Sequence, residues 1–502
     1  MEWPDGVARG ACSLTVEYSI QEVQPAQNAR GLSGIVQSAG ALVAIVGIPA
    51  LCILGGQAGL LRLLFPVLSV VVAAFLLWRA KPLYVGLVFW LWFLTPFVRR
   101  IADFQGGWTR SNPALLAPYI AASLCGITLL PRLGGLWSRR TLPHICALVA
   151  VVYGLVIGLM RYPIFNVLQA LLNWTVPIVF GLFIYENRAL YPQFRRVIER
   201  SFVYGVLITG AYGIYQYFTL PDWDRMWMLN VQTNSFGVIE EMKIRVFSTM
   251  NAPAIFAAVM CCGLLLMFNM SGKLRLVSIA CGFIALLLTS SRASWLSLAV
   301  GVLYLLMRME MRHRLRLAFA MCACVVVFLG LLQIPAIGEI VLPRFETFSD
   351  PSHDVSFAAR IEGHQHAFRE LSEEQFGEGL GSTDTEHATD GDDDMIGPHD
   401  STLLEVLYSL GWIGSLIYFL GLGSLAPQLS RLARGDSFVL SSQAILIGFV
   451  AQSLLNSVML GVLGFMVWTF ASMSLAAADY AEPVESLAER HVNQEEAHYA
   501  VA

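Results

Sequence analysis

The chain has 502 residues, 56% of them hydrophobic and only 14% charged, with a mean hydropathy of +0.62 and a net charge of −4. A soluble domain carries roughly a quarter charged residues, so a soluble catalytic domain is excluded, and no nucleic-acid partner is expected. Apolar runs of about 20 residues recur along the chain, and only helices satisfy the backbone in lipid at that length. The expected fold class is therefore all-α, a polytopic membrane helix bundle with membrane lipids around it.

Residues 1–35 are polar and mixed, without the basic-then-apolar pattern of a signal peptide, and are expected in the cytoplasm. A transmembrane bundle of about eleven spans is expected over 36–334, near 36–55, 61–78, 82–98, 113–130, 144–160, 165–185, 201–219, 251–270, 275–289, 293–308 and 317–334. Residues 335–400 form a large outer loop, 401–477 hold three further spans (401–421, 437–455, 459–477), and 478–502 make a cytoplasmic tail. With the N-terminus inside, short loops carrying Arg79 and Lys81, Arg139 and Arg140, Arg195 and Arg196, Lys273 and Arg275, Arg312 and Arg314, and Arg431 and Arg434 all fall in the cytoplasm. That alternation supports about fourteen spans with both termini inside.

Three outer segments are long enough to hold structure: Arg99 to Asn112, Leu220 to Met250 and Pro335 to Pro398. Trp223 and Trp227 in the second suit an interfacial aromatic belt. In the third, residues 357–372 repeat apolar residues at helical spacing, as in an amphipathic surface helix. Residues 335–400 hold sixteen Asp and Glu against three Arg. The Asp390-Gly-Asp-Asp-Asp394 run reads as solvated acidic loop or as a hard-cation site. The cysteines lie in or beside apolar runs and show no metal spacing. Nucleotide-binding loops do not occur.

Several basic residues fall outside against the positive-inside trend, among them Arg62, Arg99, Arg100, Arg161, Arg245, Arg292 and Arg360. Arg292 sits in Ser290-Ser-Arg-Ala-Ser-Trp295, an abrupt polar break between apolar runs. It reads either as an interfacial arginine reaching lipid phosphates or as a bidentate phosphate clamp. Arg245 precedes Asn251 and Pro253, where Asn or Thr can cap a helix that starts with Pro. An anion at that helix start would lie beside Arg245; a headgroup-facing arginine is the plainer alternative. Arg360 sits on the amphipathic helix, paired, solvated or functional. His399 stands before Asp400 and Ser401, either of which can cap the next helix. A neutral imidazole there can accept a hydroxyl proton, or simply meet headgroups.

Taken in order, these stretches resemble the O-antigen ligase/O-antigen polymerase superfamily of bacterial membrane glycosyltransferases. Arg245 to Pro253 is similar to its Arg-led stretch ending in Asn-Pro, with Ala252 interposed. Ser290 to Leu296 is similar to its Ser-Arg-Gly/Ala turn. Pro398-His-Asp-Ser-Thr-Leu-Leu-Glu-Val-Leu-Tyr-Ser-Leu-Gly-Trp-Ile-Gly414 resembles its His-Asn signature, with Asp400 in place of Asn. Gly377-Glu-Gly-Leu-Gly381 is a looser match to a Gly-x-Gly segment. The resemblance implies a GT-C-like helical fold and a glycan on undecaprenyl pyrophosphate as donor. It implies an acceptor of lipid A-core or another lipid-linked saccharide at the periplasmic face of the inner membrane, with other polysaccharide-assembly proteins as partners. It implies Arg245 and Arg292, with Arg360, on the pyrophosphate, His399 on the acceptor hydroxyl, and neither metal nor cofactor. A transporter or flippase of a lipid-linked saccharide is the alternative; such proteins tend to carry inverted repeats and midplane ionisable groups.

Overall fold

A computed structural model describes residues 32–231, 234–268, 270, 272–311, 375–382, 401–430 and 436–480, with isolated positions between 314 and 333. Arg360, residues 357–372, residues 384–394 and His399 lie outside the described residues, as does most of the expected span 317–334.

Helices occupy every other expected span. In chain order they are α1 (Leu32–Leu54), α2 (Leu61–Arg79), α3 (Lys81–Gly106), α4 (Pro113–Arg132, a broken series of short turns), α5 (Leu142–Arg161) and α6 (Ile164–Glu186). Then come α7 (Tyr191–Thr219), the short α8 (Asp222–Val231), α9 (Pro253–Met267), α10 (Lys273–Leu288), α11 (Arg292–Arg308), α12 (Thr402–Gly423), α13 (Ser437–Gln452) and α14 (Gly461–Tyr480). Seven of the described helices are long and apolar enough to cross a membrane, and Ala39–Leu54, Pro253–Met267 and Ser437–Gln452 are shorter apolar helices. The chain is a polytopic helical membrane protein.

Proline places several starts. Pro82, Pro118, Pro143, Pro192 and Pro253 fall in first turns, where the missing N–H leaves no bond unmade. The α14 helix is the centre of the bundle, with 83% of its apolar window inside against 39% for α5. Phe465 of α14 meets Phe89 of α3 at 5.0 Å and Phe180 of α6 at 4.7 Å between ring centroids. Close helix pairs among the described residues include α5 with α12, α7 with α10, and α11 with α13. Small residues allow these approaches: a side chain at Gly448 of α13 would strike the Ser297 backbone of α11.

Two helices extend through charge that reads as a boundary. The α3 helix continues past Arg99 and Arg100 to Gly106, and α7 starts at Tyr191, ahead of Arg195 and Arg196. Carboxylates take the charge: Asp103 pairs with Arg99 and Asp224 of α8 with Arg100, while Glu199 and Asp436, just before α13, pair with Arg195.

Candidate functional site

The α10 helix ends at Leu288 and α11 begins at Arg292, so Thr289 to Ser291 form a tight turn. Ser290 adopts φ +52, a left-handed conformation uncommon for a residue with a Cβ. An extended stretch lies across this turn. It is paired at Gly237 and Ile244, and the Val246 N–H donates to the Leu288 carbonyl at 3.1 Å. The Arg245 side chain follows: Nε donates to the Thr289 carbonyl at 3.1 Å and Nη2 to the Ser290 carbonyl at 3.4 Å. Arg245 is thus laid on the turn that opens the helix of Arg292, itself half-buried at the first helical position. The structure brings these two sequence candidates together although 44 residues separate Arg245 from the carbonyl it holds.

The stretch after Arg245 is held from below by a buried charge network. Arg100 and Asp224 form an ion pair at 3.2 Å with both side chains fully buried. Arg100 also donates to the carbonyls of Met250 (3.1 Å) and Ser248. Asp224 accepts from Tyr212 and Gln216, each at 2.7 Å, and Gln216 Oε1 accepts the N–H groups of Phe247 and Ser248. Ser248 is another left-handed position, with φ +53. Beside this network Asp103 is shared by Arg62 and Arg99 and accepts from Thr109 and Asn112. The Arg99 guanidinium lies 4.6 Å from the Trp227 ring centroid and 5.3 Å from that of Trp108, a cation–π arrangement. Arg62, Arg99 and Arg100, expected outside from the sequence, are therefore each held by a carboxylate within the fold. Trp227, expected in an aromatic belt, is buried at 4% exposure over Arg99.

At Met250 the chain reaches a cavity of about 450 Å³. It is walled by Trp92, Thr95 and Pro96 of α3, Pro118 and Tyr119 of α4, Asn173 of α6, Met250 to Ala252 with Ala254 and Ile255, Glu405 of α12, and Asn456, Ser457 and Leu460 to Leu463. Glu405 is 1% exposed. Asn251 Oδ1, Ser457 Oγ, Thr95 Oγ1 and Trp92 Nε1 have no hydrogen-bond partner among the described residues. Asn251 is not the expected cap: Ala252 occupies that position and no side chain caps α9. The first turn of α12 is fixed at the same wall. The Thr402 N–H donates to the Ser453 carbonyl at 2.8 Å, and Thr402 Oγ1 donates to the Asn456 carbonyl and accepts the Val458 N–H, both at 3.0 Å. The Ser401 hydroxyl makes no capping bond. His399 itself lies outside the described residues, three positions before Thr402.

The described part of the large loop, 375–382, is clamped between α5 and α12. Gly411 breaks α12 with φ 60 and ψ −173. The carbonyl and N–H released by this break are taken up by the loop, Glu378 N–H to the Tyr408 carbonyl at 2.8 Å and Trp412 N–H to the Gln375 carbonyl at 3.1 Å. The Leu380 N–H bonds the Gly154 carbonyl at 2.9 Å, and Leu380 is fully buried. A Cβ on Gly158 would come 2.2 Å from the Leu380 carbonyl oxygen, so only glycine allows this approach. Glu378 pairs with Arg161 at 3.0 Å and accepts from Tyr162 at 2.8 Å. Arg161, another arginine expected outside from the sequence, thus anchors the loop segment.

Sequence reasoning passed over Glu405, although it lies inside the Pro398 to Gly414 stretch. Asn456 and Ser457 were missed too. Their signal is the polar break Gln452-Ser-Leu-Leu-Asn-Ser457, which interrupts two apolar runs as the Arg292 turn does.

Residues 277–419 match the model of a family described as O-antigen ligase, which bears out the family expected from the motifs. No curated protein and no solved structure matches the chain. The matched stretch contains Arg292, the clamped loop segment and Glu405, whereas Arg245 and Arg100 lie upstream of it.

Proposed function

We propose, from the O-antigen ligase family match over residues 277–419, that this protein is a surface-polysaccharide ligase or polymerase. It transfers a glycan from undecaprenyl pyrophosphate to an acceptor hydroxyl, on lipid A-core or on another lipid-linked repeat unit. The acceptor oxygen bonds to the anomeric carbon, the bond from that carbon to the pyrophosphate oxygen breaks, and the pyrophosphate departs on its lipid. His399 takes the hydroxyl proton. Arg245 and Arg292, with Arg360, hold the pyrophosphate and stabilise its developing charge, as a divalent metal does elsewhere. The reaction lies at the periplasmic face of the inner membrane, in a GT-C-like bundle of about fourteen spans with both termini cytoplasmic.

The observation that carries this reading is the contact between Arg245 and the turn of Arg292. Arg245, outside the family-matched stretch, bonds the Thr289 and Ser290 carbonyls inside it, on the turn that opens the helix of Arg292. The test is a deletion strain complemented with Arg292→Ala or His399→Ala. Both variants are expected to reach the membrane at wild-type level and to lose surface-glycan assembly. Wild-type glycan profiles in both would reject the assignment. In the deletion strain, uncapped lipid A-core with retained polymer identifies a ligase; single-repeat caps or loss of secreted polymer identify a polymerase.

A further inference from the structure

We propose that the cavity between α3, α4, α6, α9, α12 and residues 456–463 is a saccharide site that takes a neutral mono- or disaccharide unit, apart from the arginines that hold pyrophosphate. This deepens the transferase reading and rests on it for the origin of the sugar.

The lining chemistry selects the ligand class. Asn173, Asn251, Asn456, Ser457 and Glu405 offer amides, a hydroxyl and a carboxylate on different sides of one space, with the Trp92 and Tyr119 rings beside them. A sugar ring presents hydroxyls at its edge and apolar C–H groups on its faces, and needs this mixture. Among the described lining residues there is no lysine, arginine or histidine. Beside the Glu405 carboxylate, a pyrophosphate would meet no lysine, arginine or histidine among the described lining residues, and like charges in a low-dielectric site repel strongly. A prenyl chain would leave the asparagines and Ser457 facing hydrocarbon, and an unbonded polar group costs roughly 1–3 kcal/mol by mutational measures. Asn251 Oδ1 and Ser457 Oγ stand in the wall without a hydrogen-bond partner among the described residues. The volume, about 450 Å³, falls within the usual range of roughly 300–1,000 Å³ for small-molecule sites.

Position supports the same assignment. Asn251 is six residues along the stretch that begins at Arg245, so one fixed segment runs from the arginine turn to the cavity wall. Glu405 sits in the first turn of α12, just after His399 in sequence. A glycan whose pyrophosphate rests on the arginines, or the acceptor sugar that meets it, has this cavity as its neighbouring compartment. Glu405 accepts hydrogen bonds from sugar hydroxyls there, and Asn456 and Asn251 donate and accept.

The test uses the full-length protein in detergent, titrated with methyl glycosides of glucose, galactose, mannose, rhamnose and N-acetylglucosamine and read by saturation-transfer NMR. At least one glycoside is expected to bind. Glu405→Gln and Asn456→Ala should each weaken it about tenfold, the worth of one hydrogen bond to a charged or buried partner. Ala254→Trp, which fills the cavity without removing a polar group, should abolish binding in protein that remains monodisperse. Undecaprenyl phosphate should not displace the glycoside. No binding by any glycoside, binding unchanged in Glu405→Gln and Asn456→Ala, or displacement by undecaprenyl phosphate would each overturn the proposal, the last in favour of a prenyl chain. Arg292→Ala should keep glycoside binding while losing glycan assembly. If it assembles glycan normally, the arginine assignment fails and the titration still judges the cavity.

Discussion

The buried network around Arg100 and the cavity around Glu405 meet at Met250 and are built on opposite principles. In the network every charge is answered: Arg100 by Asp224 and two carbonyls, Arg99 by Asp103, two further carbonyls and two indole rings. In the cavity wall, Asn251, Ser457, Thr95 and Trp92 each keep a polar atom with no partner among the described residues. A closed network rigidifies; an open set of polar groups is what a ligand can complete. The lesson is that an arginine out of place along this chain does not by itself mark function. Arg100 is the more deeply buried and Arg292 the better site candidate.

The largest expected effect breaks the network. Arg100→Ala leaves Asp224 charged and buried, which costs about 3–5 kcal/mol; a thermal scan of detergent-solubilised protein should show a large fall in Tm and loss of monodisperse protein. The paired change Arg100→Met with Asp224→Leu should restore most of that loss, because replacing a buried pair by apolar residues is often neutral. If the single variant melts like wild type, the network is not what supports residues 248–251. An intermediate effect is expected at the loop clamp. Gly158→Val forces a side chain onto the Leu380 carbonyl, an overpacking cost of about 1–3 kcal/mol. Limited proteolysis should then cut within 375–382 sooner than in wild type, with the Arg100 network intact. The smallest effect is Lys243→Ala. It removes an exposed pair with Glu240, and no change in Tm or glycan assembly is expected.

Much of the helical layout was legible because apolar runs of span length have few other outcomes in lipid. The errors fell where charge interrupts a run. Arg99 and Arg100 look like the end of α3, yet their partners are Asp103, one turn on, and Asp224, far along the chain. Hydropathy carries no information about the second. The site was legible in part for a related reason. Arg245 and Arg292 stand out as charges in polar breaks, and they share one local structure. Glu405 was invisible because a lone carboxylate at a helix start reads as favourable to the helix dipole. Only the approach of residues 456–463 and of α4 shows that it faces a cavity.

The Arg100 contacts also impose an order on biosynthesis. The carbonyl of Met250 that Arg100 holds lies 150 residues downstream. At roughly 5–20 residues per second of synthesis, α3 waits on the order of ten seconds at the insertion machinery before its partner exists. Asp103, a single turn away, already offsets Arg99 during that interval, but Arg100 has to wait for α8. The C-terminal end of α3 is thus a late-closing joint. The first membrane helices are made before it can lock, and it locks only as the segment bearing Arg245 and Asn251 emerges.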